Sequence, residues 1–225
     1  MAASRENQHI GLFGGTFDPV HLGHLALARH VLDRCRLDTL FFIPAPQPPH
    51  KGQPTASFFH RAAMLEAALA ACPDRHRVRL SLIEQDLPNP SYTINTVEAL
   101  IERHGRQRYF LIIGADSLID LPHWHRASEL LTLASLIVVN RDSIDAAMIE
   151  QTLRVLDPSF SYAPQRGKWV GKGGGTVEYL ADVQLPVSSS AIRKALGQGA
   201  GAAMLPPAVF AYIQQHHLYG GRAPS

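Results

Sequence analysis

Residues 14–24 read Gly14-Gly15-Thr16-Phe17-Asp18-Pro19-Val20-His21-Leu22-Gly23-His24 and carry the densest chemistry in the chain. Gly14 and Gly15 remove side chains where the backbone must turn, which lets a ligand approach the main chain closely. An apolar-periodic run begins at Leu22, so the stretch opens a helix. The first N–H groups of a helix have no partner inside it and form a ready anion site. His21 and His24 stand three residues apart, a spacing that turns both imidazoles to one side, and Gly23 keeps that side open. A glycine turn and two histidines at a helix start suit the binding of a polyphosphate and the stabilisation of charge as it reacts.

The elements that position these residues follow from the apolar pattern. Residues 9–13, 39–43, 78–83, 109–113 and 135–139 are short apolar runs that read as strands, and 176–180 is a weaker sixth. Helical spacing marks 22–35, 57–72, 93–104 and 145–156, with Ser57 as an N-cap and Ile94, Val97 and Ile101 as a buried stripe. Strands alternating with helices predict an α/β fold: a Rossmann-like, doubly wound, mainly parallel sheet covered on both faces. Such folds bind ligands at the carboxyl ends of their strands, so the residues after each strand are the ones to inspect. Residues 188–218 predict a small C-terminal helical segment of two helices, the second started by Pro206-Pro207. Residues 157–175 hold Arg166, Lys168, Lys172 and the run Gly173-Gly174-Gly175 with little periodicity, which predicts a mobile surface loop. Residues 1–225 read as one domain, an α/β core over 9–187 followed by the helices of 188–218.

Further polar groups follow the strands. A proline-rich loop after the second strand ends in Lys51, either an ordinary exposed lysine or, since stiffness lowers the entropy cost of holding it, an ammonium set against phosphates. Ser91-Tyr92-Thr93 precedes a helix and offers backbone N–H groups and the Thr93 hydroxyl to a carboxylate, or simply an N-cap. Asp116 follows the strand at 109–113 and suits ribose hydroxyls as well as a capping role. Trp124 offers a flat stacking surface or a core side chain. Ser188 and Ser189 open a helix that presents Arg193 one turn on, and its guanidinium can fork onto phosphate oxygens.

Residues 14–24 resemble the GTFDPxHxGH-like phosphate-binding motif of the nucleotidyltransferase superfamily. Pro48-Pro49-His50-Lys51, Ser91-Tyr92-Thr93, Gly114-Ala115-Asp116, Leu121-Pro122-His123-Trp124 and Val187-Ser188-Ser189-Ser190-Ala191-Ile192-Arg193 resemble, in order, motifs of nicotinate-nucleotide adenylyltransferases. Val187 and Ser190 stand where Ile and Thr are more usual, and both keep the character of the position. The resemblance runs from about His9 to Leu218. It implies transfer of AMP from ATP to nicotinate mononucleotide, with pyrophosphate released. It also implies His21, His24, Lys51 and Arg193 as catalytic residues. ATP would be cradled by Gly14, Gly15, Thr16, Phe17, Ser188 and Ser189, and the mononucleotide held by Tyr92, Thr93, Asp116 and Trp124. Magnesium is expected with the ATP. No carboxylate cage or zinc-ligand spacing is evident in the sequence despite its 12 histidines. Two alternatives stay open: a related transferase acting on another phosphorylated acceptor, and a non-catalytic nucleotide-binding module.

Composition bounds the rest. With 46% hydrophobic and 18% charged residues over 225 positions, the chain has the make-up of a globular protein. A net charge of +2 gives no electrostatic reason to expect nucleic-acid or membrane binding. Cys35 and Cys72 form no CxxC pair and fall in expected helices, so they read as apolar packing residues. With no apolar signal core, the expected compartment is the cytoplasm. Assembly as a homo-oligomer is left open.

Overall fold

The computed structural model describes residues 7–47, 54–88, 90–140, 145–183 and 187–220. In chain order the strands are β1 (His9–Gly15), β2 (Thr39–Pro44), β3 (Val78–Leu80), β4 (Arg108–Gly114), β5 (Ala134–Val139), β6 (Ser161–Ala163), β7 (Lys168–Val170) and β8 (Thr176–Leu180). The helices are α1 (Leu22–Arg34), α2 (Phe58–Ala70), α3 (Thr93–His104), α4 (Ala115–Asp120), α5 (Ala127–Leu133), α6 (Ala146–Leu156), α7 (Ser189–Gly197) and α8 (Pro207–Gln215). The fold is α/β with a mostly parallel sheet and helices on its sides, as the alternating pattern predicts. The chain forms two compact units, one of residues 1–13 and 91–184, the other of residues 14–90 and 185–225.

In the first unit the strand order is β1-β4-β5-β8-β7-β6. β1, β4, β5 and β8 run parallel, in register Ile10 to Tyr109, Tyr109 to Ala134 and Leu136 to Val177. Leu111, Ile112 and Ile113, and again Leu136 through Val139, are buried without a break, as expected for strands covered on both faces. Asp145 caps α6 by accepting the Met148 N–H at 2.7 Å.

The expected loop at 157–175 is instead ordered sheet. β7 pairs antiparallel with β8, and β6 with β7, placing Tyr162 opposite Trp169. Trp169 is buried. Gly167 closes the β6–β7 hairpin at φ 62, and Gly174 turns the chain between β7 and β8 at φ 86. The glycine run is therefore a hairpin turn. Lys168 pairs with Glu178 at 3.3 Å across the neighbouring strand, so the structure ties down one basic residue of the segment. Strands of three residues are too short to leave a readable period.

In the second unit β2 and β3 run parallel, with Leu40 beside Val78, and the Gly15 carbonyl at the end of β1 accepts the Ala45 N–H at 2.9 Å. Ser57 caps α2 as expected, and Pro207 starts α8. Phe42, Met64, Leu65, Ile192, Val209 and Ile213 are all buried. The run at 78–83 yields only three residues of strand. The chain then leaves the sheet, exposing Leu82 and burying Ile83 in a 3-10 turn at Ile83–Asp86. Cys35 caps the end of α1 and Cys72 follows α2, both half-buried rather than packed inside a helix.

Candidate functional site

Each unit gathers one group of the residues singled out above. In the second unit, β1 runs on through Gly14 and Gly15, so the glycines end a strand. A Cβ on Gly14 would meet nothing within 4 Å, leaving that backbone open to a ligand. At Gly15 a Cβ would stand 3.1 Å from the Phe17 ring, so its lack of a side chain serves internal packing. Phe17 takes a left-handed φ of 49 and is buried, its ring edge-on to His24 and tilted against Phe42. Its backbone lies in the turn, while its side chain anchors that turn from below.

His21 is the N-cap of α1, with extended backbone. The His21 and His24 rings stack with centroids 3.7 Å apart, as the spacing predicts, and both are buried. The His21 N–H donates to His24 Nδ1 at 3.2 Å. An accepting Nδ1 places the proton of the neutral imidazole on Nε2. The backbone therefore sets the tautomer, and His24 presents an N–H donor on its far edge. The bond is one side of a capping box whose other side runs from the His24 N–H to the His21 side chain, with histidine where glutamate is common.

At the start of α7, Ser188 is the N-cap and accepts the Ala191 N–H at 3.2 Å. Ser189 donates its hydroxyl to the Pro19 carbonyl at 3.0 Å. Ser189 thus spends its proton inside the protein, while Ser188 accepts and keeps its hydroxyl proton, which with the backbone N–H groups of the helix start is what this turn offers an anion. Arg193 Nη1 donates to the Asp18 carbonyl at 2.7 Å, and Nη2 to Ser190 Oγ at 3.2 Å. The guanidinium thus docks α7 onto the 14–24 turn. Lys51 lies outside the described residues.

Sequence reasoning gave no role to Asp18, Arg61 or Tyr219, yet they organise this turn. Arg61 is fully buried and donates to three carbonyls: Thr16 at 2.6 Å, Pro46 at 3.0 Å and Ala56 at 3.3 Å. One side chain thereby fixes the loop after β1, the loop after β2 and the entry to α2. Burial lowers the Arg61 pKa, while Asp18 and then Tyr219 act to raise it. The only sequence signal was an arginine on the apolar stripe of α2, which periodicity reads as an interruption. Arg61→Met leaves three carbonyls without their donor and is expected to lower stability by about 3 kcal/mol or more. A urea midpoint matching wild type would show that the three contacts contribute little.

In the first unit, Tyr92 is the N-cap residue of α3, and its carbonyl accepts the Asn95 and Thr96 N–H groups. Thr93 is the first helical residue rather than the cap. The helix itself offers no acceptor to the Thr93 and Ile94 N–H groups, so the positive end of its dipole lies there. The half-exposed Tyr92 ring stacks on His125, with centroids 4.4 Å apart. His125 follows Trp124 directly and was missed in the sequence. Asp116 is exposed in the first turn of α4, and Gly114 holds the cap position. Its carboxylate is thus presented at the carboxyl end of β4 and not spent on capping. Trp124 ends the 3-10 turn at Leu121–His123 and is half-buried. Its Nε1 is buried and, among the described residues, meets no hydrogen-bond acceptor.

Residues 12–195 match the cytidylyltransferase-like family. A protein of Pseudomonas paraeruginosa named "Probable nicotinate-nucleotide adenylyltransferase" is 40% identical over 220 residues, covering 96% of this chain and 99% of the relative. One of Gloeobacter violaceus, with the same name, is 37% identical over 215 residues, covering 94% and 96%. The chain belongs to the nicotinate-nucleotide adenylyltransferase family. A solved structure agrees on the fold: Plasmodium falciparum nicotinic acid mononucleotide adenylyltransferase complexed with NaAD, at a TM-score of 0.72. That match covers 96% of this chain and 99% of the other at 17% identity. Adenylyltransferases need cationic and N–H donors around reacting phosphates rather than a protein nucleophile. The His21–His24 pair, the α7 start and Arg193 are groups of that kind.

Proposed function

We propose that this chain transfers the AMP moiety of ATP to nicotinate mononucleotide, in the synthesis of NAD. End-to-end identity with relatives of that name carries the reading. An oxygen of the mononucleotide phosphate attacks the α-phosphorus of ATP in line. The bond from that phosphorus to the bridging oxygen breaks, pyrophosphate leaves, and nicotinate adenine dinucleotide forms.

In this reading His24, through its Nε2–H, and His21 stabilise charge on the reacting phosphates. Arg193 and Lys51 neutralise the triphosphate. The backbone of Gly14, Gly15, Thr16 and Phe17 and the helix start at Ser188 and Ser189 cradle it. Trp124 stacks on the pyridine ring, the helix start at Tyr92 and Thr93 takes its carboxylate, and Asp116 accepts from ribose hydroxyls. ATP would carry magnesium on its phosphates, where the ion would offset their charge. Among the described residues no group of three or more His, Cys, Asp or Glu could hold a metal ion, so the triphosphate and water would supply most of its ligands. We place the reaction in the cytoplasm, on cysteine usage. Among the described residues no helix is long and apolar enough to cross a membrane.

The test is pyrophosphate release from ATP and magnesium with nicotinate and nicotinamide mononucleotides side by side. A carboxylate at the α3 start gains from the dipole and from charged hydrogen bonds, whereas a neutral amide presents an NH₂ to donors. The acid is expected to lead in kcat/KM by at least about tenfold, ~1.4 kcal/mol of discrimination. Thr93→Pro is compatible with the first helical position and removes one N–H, so it should narrow that preference. Trp124→Ala should weaken both substrates alike. Equal use of the two mononucleotides by wild type would end the assignment of the acid to this helix start.

A further inference from the structure

Asp18 is 3% exposed, and its carboxylate is held from several directions. Oδ2 accepts the Thr55 N–H at 2.7 Å and Oδ1 the Ala56 N–H at 3.1 Å. Tyr219 donates its hydroxyl to Oδ1 at 2.6 Å. Arg193 Nη1, bonded to the Asp18 carbonyl, also lies 3.8 Å from Oδ2. A buried carboxylate persists only when its charge is met this way.

Tyr219 reaches Asp18 from the last described turn of the chain, 201 residues away. Its backbone is left-handed, φ 59 and ψ 25, a conformation that costs a bulky residue energy and survives only where the surroundings require it. That turn lies against the end of α7, where a Cβ on Gly220 would stand 3.9 Å from the Gly197 Cα, an ordinary contact. We propose that Tyr219 is a positioning residue for adenylyl transfer, its hydroxyl holding Asp18 so that the 14–24 turn and Arg193 keep their reactive placement. This rests on the function proposed above. Asp18 and Pro19 are the residues whose carbonyls receive Arg193 and Ser189. A carboxylate that loses its shortest partner loosens the segment on which α7 is docked. Burial and Asp18 raise the pKa of the phenol, so it stays protonated and acts as a standing donor.

Tyr219→Phe keeps the ring and removes only the donor. Steady-state kinetics would be run at a temperature where circular dichroism shows the variant fully folded. The expected result is a kcat lower by about tenfold, with the KM for ATP raised less than about threefold. Combined with Arg193→Lys the losses should be less than multiplicative, because both act through Asp18. A purely structural residue would lower the melting temperature and leave kcat of the folded enzyme alone. A folded Tyr219→Phe with kcat within about twofold of wild type, or fully multiplicative losses, would overturn the proposal. Should the phenylalanine variant fail to fold, the same kinetics would be run on folded Asp18→Asn, in which one oxygen that accepts a backbone N–H is replaced by an NH₂ donor, and a kcat within about twofold of wild type would again overturn the proposal. Wild type that releases no pyrophosphate would overturn the adenylyltransferase reading itself. An active wild type beside an unimpaired variant overturns only the role of Tyr219.

Discussion

His24→Ala is expected to lower kcat by about 100- to 1,000-fold in a pyrophosphate-release assay, the loss of about 2.7–4 kcal/mol typical of one transition-state donor. The structure gives the reason in atoms. His21 N–H occupies Nδ1 of His24, so the donor is Nε2–H, set in place before any ligand arrives. Binding of ATP should change much less, because the stronger interaction exists only in the transition state. The same substitution leaves the His21 N–H without its acceptor at the helix start, which should cost about 1 kcal/mol of stability. Stability and turnover therefore separate: a melting curve reads the cap, and kcat reads the donor. Turnover within about threefold of wild type would reject the assignment.

Arg193→Ala is expected to lower kcat/KM by about 100-fold and to weaken ATP binding measured by calorimetry. The guanidinium donates in two directions, to the Asp18 carbonyl and to Ser190 Oγ, while its planar fork keeps further N–H groups for phosphate. Alanine removes both the charge and the link from α7 to the 14–24 turn. Arg193→Lys restores the charge as a point and recovers at most one direction, so it should remain about tenfold impaired. Unchanged ATP binding in the alanine variant would assign Arg193 to structure or to the transition state alone.

Packing across the chain decides what several single residues do. The glycine pair suggests ligand approach, but at Gly15 the Phe17 ring fills the place of a side chain. Thr93 was a candidate cap, yet Tyr92 holds that position and Thr93 begins the helix. The resemblance implies a phosphate contact for Ser189, whose hydroxyl proton goes here to the Pro19 carbonyl. In each case the residue type was informative, whereas its partner lay on a segment that spacing does not report.

What depends on neighbours within a turn or a strand is legible in the residues alone. Apolar runs gave β1, β2, β4, β5 and β8, helical spacing gave α1, α2, α3 and α6, and three-residue spacing brought His21 onto His24. These outcomes follow from backbone period and local hydrogen bonding, which a short window of residues contains in full. What depends on segments meeting across long stretches of chain is set by the fold. Arg61 finds the Thr16 carbonyl 45 residues away and Tyr219 finds Asp18 201 residues away, while β6 and β7 become strands through pairing next to β8. A buried charge and a three-residue strand have no local signature, because each is stabilised by partners that the topology alone delivers.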